Sequence, residues 1–401
     1  MRLLLAATCR SYRTHRRLCT HSSTATSTPA TESSTIKHSS FRTVVSTAWS
    51  HSINSTHASN SAIFTVHALP RDGSISQVNG GGGVLFNDSP TIEGLRCIVE
   101  AHQTYGTTNL LPTFITGPAS DMLDAVQAVD AAMRTKAVRG ILGIHLEGPF
   151  INHTRAGVHD RSCIREPNDE DLSIIRRLRD GVVLLTLAPE VASTEVIRRL
   201  STDGILVSLG HTDATCEEAM AALNAGASCV THLYNAMSQL TSRAPGVVGA
   251  ALDHRDSWAG IILDGFHCDF VAARVAIRAK ARRKTLLVTD AMPPVGLREP
   301  DLGFRLGPYE IKVKDGRCVT DDGVLAGSAL DMATAVRNCV QKLGLPKDEV
   351  FRMASTYPAE FLGLGSELGR VARGYRANLT ILNNQMLVSA VVVEGEYRDV
   401  A

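Results

Sequence analysis

From about residue 74 onward, short apolar runs rich in β-branched residues alternate with amphipathic helical stretches, a βα rhythm that few architectures accept. Strand-like runs fall near 74–79, 107–115, 140–147, 182–188, 204–209, 228–232, 259–264 and 285–290. Amphipathic stretches at 91–104, 121–136, 214–224 and 269–282 separate several of them. Eight βα units between 74 and 363 occupy about 290 residues, close to the ~250 typical of a closed (β/α)8 barrel and leaving room for insertions. The predicted fold class is therefore α/β, a (β/α)8 TIM-type barrel, with an open doubly wound sheet as the alternative. Beyond 366, strand-like runs at 377–382 and 388–393 with Gly turns predict a small β appendage over 364–401.

The segment before the barrel has a different character. Residues 1–31 carry Arg2, Arg10, Arg13, Arg16 and Arg17 among many Ser and Thr, with no acidic residue before Glu32. That composition reads as a mitochondrial transit peptide, since the apolar run 3–7 is shorter than a secretory h-region; a cytoplasmic protein with a polar tail is the alternative. Residues 32–73 stay rich in Ser, Thr, Asn and His, and only 62–67 reads as a strand.

Net charge is +1, from 41 basic and 40 acidic residues, so no global field draws the chain to nucleic acid or an anionic membrane. No apolar run reaches the ~20 residues that span a bilayer. An anionic ligand must therefore be held locally. The nine cysteines are scattered singly without a C-x-x-C pair, which argues for a reducing compartment.

Barrel enzymes carry their chemistry at the C-terminal ends of the strands. Four predicted strands end in ionisable groups: Glu147 in Gly143-Ile144-His145-Leu146-Glu147, His211 in Ser208-Leu209-Gly210-His211, His232 in Thr231-His232 and Asp290 in Val288-Thr289-Asp290. One such group is commonly structural; four on one rim point to a site. Glu147, His211 and His232 offer one carboxylate and two imidazoles, a ligand set for a single divalent metal with a position open for water. Zn²⁺ is the expected ion, although Fe²⁺, Mn²⁺ and Co²⁺ take the same ligands. Asp290 has the chemistry to carry a proton from water to a leaving amine. His145, on the same side of its strand as Glu147, is expected to be a hydrogen-bonded core histidine. His159, on a loop after the Glu147 strand, can donate to a developing oxyanion. Arg243 and His267, in turns after the sixth and seventh strands, suit a phosphate ester; their structural alternatives are a solvated charge and a packed ring.

These residues sit in motifs that resemble the N-acetylglucosamine-6-phosphate deacetylases of the amidohydrolase superfamily. The similarity runs from about Gln77 to the C-terminus. It is carried by Asn79-Gly80-Gly81-Gly82-Gly83, His145-Leu146-Glu147-Gly148-Pro149-Phe150, Leu187-Ala188-Pro189-Glu190, Gly210-His211-Thr212-Asp213, Thr231-His232-Leu233-Tyr234-Asn235-Ala236-Met237, Val288-Thr289-Asp290-Ala291 and Leu325-Ala326-Gly327-Ser328. The resemblance implies metal binding by Glu147, His211 and His232, acid/base catalysis by Asp290 and help to the amide carbonyl from His159. It also implies sugar-phosphate contacts from Val158, Asn235, Ala236, Arg243, His267, Leu325, Ala326 and Gly327, with Arg243 and His267 reaching across a homodimer. Gln77 and Asn79 stand where many amidohydrolases carry the His-x-His of a second metal, so one metal per subunit is expected. Family members open with a small β-sandwich and a Pro-Gly-x-x-Asp entry to the first barrel strand, whereas Arg71-Asp72-Gly73-Ser74 stands here, so the N-terminal part of that sandwich is expected to be incomplete or diverged.

The activity expected is hydrolysis of N-acetyl-D-glucosamine 6-phosphate, a small amino-sugar phosphate, to D-glucosamine 6-phosphate and acetate. A deacylase of another N-acylated amino sugar is the nearest alternative. Cyclic-amide hydrolases and deaminases rank lower because they generally want the His-x-His that Gln77 and Asn79 lack. An inactive barrel with a binding role is the reading from a different class.

Overall fold

The computed structural model describes residues 67–69, 73–299 and 303–400. The transit-peptide reading of 1–31 and most of the N-terminal segment therefore lie outside the described residues.

Eight parallel strands alternate with eight helices. In chain order they are β1 (Gly73–Val78), α1 (Ile92–Gln103), β2 (Thr107–Ile115), α2 (Ala119–Thr135), β3 (Gly143–Glu147), α3 (Asp169–Ile175), β4 (Val182–Leu187) and α4 (Thr194–Thr202). Then come β5 (Leu206–Leu209), α5 (Cys216–Ala225), β6 (Ala227–Val230), α6 (Gly246–Asp253), β7 (Trp258–Ile262), α7 (Phe270–Ala279), β8 (Thr285–Val288) and α8 (Met332–Gln341). Each strand pairs with the next, and the ends meet through a parallel bridge between Val78 and Ala291. Asn79 N and Gly80 N both donate to Ala291 O, at 2.9 and 3.0 Å, so the seam closes beside Asp290. The arrangement is a (β/α)8 barrel, and the open-sheet alternative falls.

Local sequence explains the elements. β2 and β3 are buried at every residue, as strands covered on both faces must be. Helix starts are fixed by side-chain caps: Thr91 accepts from Gly94 N, and Thr215 forms a capping box with Glu218. Gly143 opens β3 at φ +153°, where an added Cβ would stand 1.9 Å from Val182 O, so only glycine lets β3 and β4 pair there.

Two additions depart from a bare barrel. Between β8 and α8 an antiparallel meander, Phe304–Leu306, Tyr309–Lys314, Arg317–Val319 and Leu325–Ser328, stands where sequence reading expected no strands. Its last strand docks on the end of β8, with Ser328 N donating to Asp290 O at 2.9 Å, and so lays residues 323–327 over the barrel mouth. It has its own apolar core of Leu85, Ile115, Met292, Leu306, Ile311, Cys318 and Ala326. The second addition is a four-stranded sheet in which His67–Leu69 pairs with Leu379–Leu382, followed by Val388–Val393 and Glu396–Asp399. Both ends of the described chain thus build the β appendage. Among the described residues no helix is long and apolar enough to cross a membrane.

Candidate metal centre and active-site cleft

Glu147 ends β3, while His211, His232 and Asp290 each lie two residues beyond β5, β6 and β8. The three latter residues have positive φ, at 49°, 30° and 52°, as does Ala236 at 49°. A non-glycine residue in this region costs roughly 1–3 kcal/mol and persists only where its surroundings over-determine it. The turn off each strand is thereby bent so that the side chain faces the barrel axis instead of following the strand outward.

Three ligand atoms converge. His232 Nε2 stands 3.0 Å from Glu147 Oε1 and 3.1 Å from His211 Nε2, and His211 Nε2 is 3.4 Å from Glu147 Oε1. Ligands held at ~2.1 Å around one tetrahedral ion stand roughly 3.4 Å apart, so the spacing fits a metal. His211 Nδ1 bonds Arg155 O at 2.9 Å, which places the hydrogen on Nδ1 and leaves Nε2 a bare lone pair. Two imidazole nitrogens facing each other at this distance have no mutual hydrogen bond to offer without a proton between them; a cation resolves the contact. All three residues are buried. Burial pushes the Glu147 carboxyl up, but the two imidazoles outweigh it and hold it well below the usual range. Burial opposes charge on His232, while its bond to Glu147 raises its pKa.

Asp290 is held differently. Gln77 Nε2 donates to Asp290 Oδ1 at 3.0 Å, and to both carboxylate oxygens of Glu147 at 3.0 Å. Asn79 Nδ2 donates to the same Asp290 Oδ1 at 2.6 Å. The two amides thus occupy the space between the carboxylates that a second cation would need. Burial, then the charge of Glu147, raises the Asp290 carboxyl to about 6, against the opposing pull of His232 and His267. Two carboxyls pushed in opposite directions side by side are the pattern of a site that divides ligand and acid/base duties.

Below them a polar chain crosses the barrel. Thr113 Oγ1 contacts His145 Nδ1 at 3.1 Å, His145 Nε2 contacts Thr186 Oγ1 at 2.8 Å, and Thr186 Oγ1 contacts Thr231 Oγ1 at 2.8 Å. His145, though on the Glu147 side of its strand, is the hydrogen-bonded core histidine expected, and burial lowers its pKa to about 4. His159 is buried with its ring centroid 4.3 Å from that of His211. Its Nδ1 lies 2.8 Å from Thr116 Oγ1, a shorter contact than the 3.4 Å from that hydroxyl to Glu147 O. The Thr116 hydroxyl is within reach of both acceptors, and the ring hydrogen sits on His159 Nε2 when that hydroxyl donates to Nδ1. Burial, with the neighbouring His211, lowers its pKa and keeps it neutral.

A cavity of about 460 Å³ opens over this centre, within the range of small-molecule sites. Val158, His159, Asn235, Ala236 and His267 line it together with Glu147, His211, His232 and Asp290. Leu325 and Gly327 line it from the meander, whereas the Ala326 side chain turns the other way into the meander core, as strand alternation requires. Arg243 does not line it; it is exposed on the loop before α6. His267 is oriented by Asp264, whose Oδ2 is 2.6 Å from Nδ1 and whose Oδ1 accepts from the backbone N–H of Phe266 and His267. Sequence reading missed Asp264, as it did Thr154, Arg155 and Val324 in the cleft wall. Asp264 was legible as a carboxylate three residues before a site histidine; the wall residues carry no local signal.

The profile described as "Amidohydrolase family" matches residues 56–398. An N-acetylgalactosamine-6-phosphate deacetylase of Shewanella sp. (strain ANA-3) is 43% identical over 322 residues, covering 80% of each chain. An N-acetylglucosamine-6-phosphate deacetylase of Haemophilus influenzae is 36% identical over 324 residues, 80% of this chain and 84% of the other. Among solved structures, the N-acetylglucosamine-6-phosphate deacetylase of Pasteurella multocida superposes with a TM-score of 0.79 at 38% identity, covering 82% of this chain and 86% of that one.

Proposed function

The chain belongs to the amidohydrolase family, and from that premise we propose that it is a metal-dependent amide hydrolase that converts N-acetyl-D-glucosamine 6-phosphate and water into D-glucosamine 6-phosphate and acetate. The observation that carries the reading is the pairing of a Glu147/His211/His232 cluster with an Asp290 carboxylate clamped through one oxygen.

Glu147, His211 and His232 would hold one divalent ion, with Zn²⁺ favoured by the two imidazoles. Such an ion polarises an amide carbonyl and lowers the pKa of water toward ~7. Asp290, bound by both amides through Oδ1, has Oδ2 left to take the proton from the attacking water. The C–N bond then breaks with its electron pair on nitrogen, and Asp290 passes that proton to the leaving amine. His159 Nε2–H donates to the carbonyl oxygen as charge collects there. Val158, Asn235, Ala236 and the 325–327 strand shape the sugar's berth, and His267, steadied by Asp264, takes part of the phosphate. The barrel over 74–363 is on this reading the hydrolytic unit, and 364–401 the supporting appendage.

Arg243 reaches a phosphate only if a second copy presents it, so we read the functional unit as a homodimer. The surface suits one: Phe266 is 47% exposed, and Val271 and Val275, one turn apart on α7, are 63% and 56% exposed. The basic, Ser-rich 1–31 segment supports matrix import of the chain, with the cytoplasm as the alternative.

The 43% identity to an N-acetylgalactosamine-6-phosphate deacetylase favours a second reading, in which the 4-epimer is the preferred substrate. The test is acetate release by the purified, metal-replete protein from each epimer. Faster turnover of the galacto substrate selects the second reading; no acetate from either overturns both.

A further inference from the structure

We propose that Glu190, on the loop after β4, is a positioning residue for His211, holding in register the two loops that present this imidazole to a metal. The inference rests on the reading of His211 as a metal ligand. No residue of the β4 loop lines the cleft, and Glu190 itself is on the outer surface. Its contacts nevertheless reach both neighbours. Oε1 accepts from Asn152 Nδ2 at 2.9 Å on the β3 loop and from Asp213 N at 2.6 Å on the β5 loop. Oε2 accepts from Thr212 Oγ1 at 2.6 Å, again on the β5 loop.

Those are the loops that determine His211. Its carbonyl accepts from Asn152 N at 2.8 Å, and its Nδ1 donates to Arg155 O at 2.9 Å, so the β3 loop fixes both the backbone and the ring of a residue belonging to the β5 loop. His211 has a positive φ of 49°, a conformation that relaxes unless neighbours over-determine it. The Arg155–Asp213 ion pair also ties the two loops, at 2.7 Å, but both side chains are more than a third exposed and water screens the pair. Glu190, itself exposed, adds three hydrogen bonds to both neighbouring loops from the loop after the central strand, beside the backbone bonds Ala188 N to Phe150 O and Gly210 N to Leu187 O. Without it, fewer ties hold Arg155 O against His211 Nδ1, and the aim of Nε2 is less tightly fixed.

The experiment measures Zn²⁺ affinity by chelator competition, with thermal melts of the metal-free proteins, on the full chain, Glu190→Ala, Glu190→Gln and Thr212→Val. Loss of a partner that orients a metal-bound histidine typically weakens metal binding ~10- to 100-fold. Glu190→Ala, which acts on His211 only through Asn152, Thr212 and Asp213, is expected at the lower end of that range, ~10-fold, with a metal-free melt close to that of the unaltered protein. Glu190→Gln and Thr212→Val, which remove only part of the latch, are expected to show smaller losses. Deacetylation by Glu190→Ala should be poor at stoichiometric Zn²⁺ and recover in excess Zn²⁺. Zn²⁺ affinities within twofold of the unaltered protein overturn the proposal; if Glu190→Ala does not fold, the other two variants decide by the same criterion. An unaltered chain that binds no Zn²⁺ overturns the metal-centre reading itself, an outcome distinct from a metal-binding chain whose variants match it.

Discussion

Replacing Asp290 by Asn tests the proton-shuttle role proposed for it apart from everything else the site does. Asp290 Oδ1 receives two N–H donors, from Gln77 at 3.0 Å and from Asn79 at 2.6 Å. An Asn side chain can satisfy them only by placing its carbonyl oxygen there, because the opposite orientation sets its NH₂ against two donors. Its NH₂ must then occupy the place of Oδ2, where it cannot accept a proton from water. The variant should keep its fold, since no contact is lost, and its metal, since Glu147, His211 and His232 are untouched. A positioned acid/base contributes ~10²–10⁴ in rate. At ~1.36 kcal/mol per decade this raises the barrier by about 2.7–5.5 kcal/mol. The assay is kcat for acetate release with metal content and melting temperature on the same preparation. The pH profile adds a second check: burial raises the Asp290 pKa to about 6, so activity of the unaltered enzyme rises with pH as Asp290 ionises, with the limb no higher than about pH 6. The variant should lack that limb. A kcat within threefold of the unaltered enzyme refutes the assignment, and lost activity accompanied by lost metal makes Asp290 a ligand or structural residue instead.

His211→Ala should lose both metal and turnover; a full metal equivalent with normal kcat, read by metal analysis and acetate release, removes His211 from the centre. Arg243→Ala should lower kcat/KM for the phosphorylated sugar about 10- to 150-fold, the worth of a charge-assisted hydrogen bond of about 1.5–3 kcal/mol, and spare the unphosphorylated sugar. Equal losses on the two substrates would rule out a phosphate contact. Gly143→Ala sets a Cβ 1.9 Å from Val182 O at φ +153°, so a loss of more than ~3 kcal/mol is expected, checked by chemical denaturation; a near-normal midpoint would show that β3 and β4 can part locally.

The barrel was legible because short continuous apolar runs alternate with 3.6-period amphipathic stretches, and the strand-end residues because only a few ionisable groups follow such runs. Strand ends were read two residues long at β6, β7 and β8, and at β6 and β8 for one physical reason. Thr231-His232 and Thr289-Asp290 look like continuing strand, yet the backbone leaves the sheet at a left-handed residue that composition does not announce. The meander was missed although Tyr309-Glu310-Ile311-Lys312-Val313-Lys314 alternates between turns at Gly307 and Gly316. A single six-residue alternation between turns reads as a surface loop unless something is known to lie beneath it. Ala326 was assigned to the cleft with its neighbours as a block, where alternation alone separates it from Leu325 and Gly327.

Gln77 and Asn79 show most plainly what sequence can and cannot say. As residue types they argue against a second metal, because an amide is a poor ligand beside imidazole. Their geometry adds a positive role. Two buried carboxylates side by side, Glu147 and Asp290, repel each other, and in a buried site this would force a proton onto one of them. The two N–H groups of Gln77, one of them shared between two oxygens, and one N–H of Asn79 reach three carboxylate oxygens and answer that repulsion without adding a charge. The consequence is a division of labour. On the proposed reading Glu147 keeps its negative charge for an ion that the imidazoles would share, whereas Asp290, pinned by a single oxygen and raised to a pKa of about 6, keeps one oxygen to accept a proton. A second cation in the same place would draw charge from both carboxylates and depress the basicity of Asp290. The amides leave it poised to accept a proton and give it back.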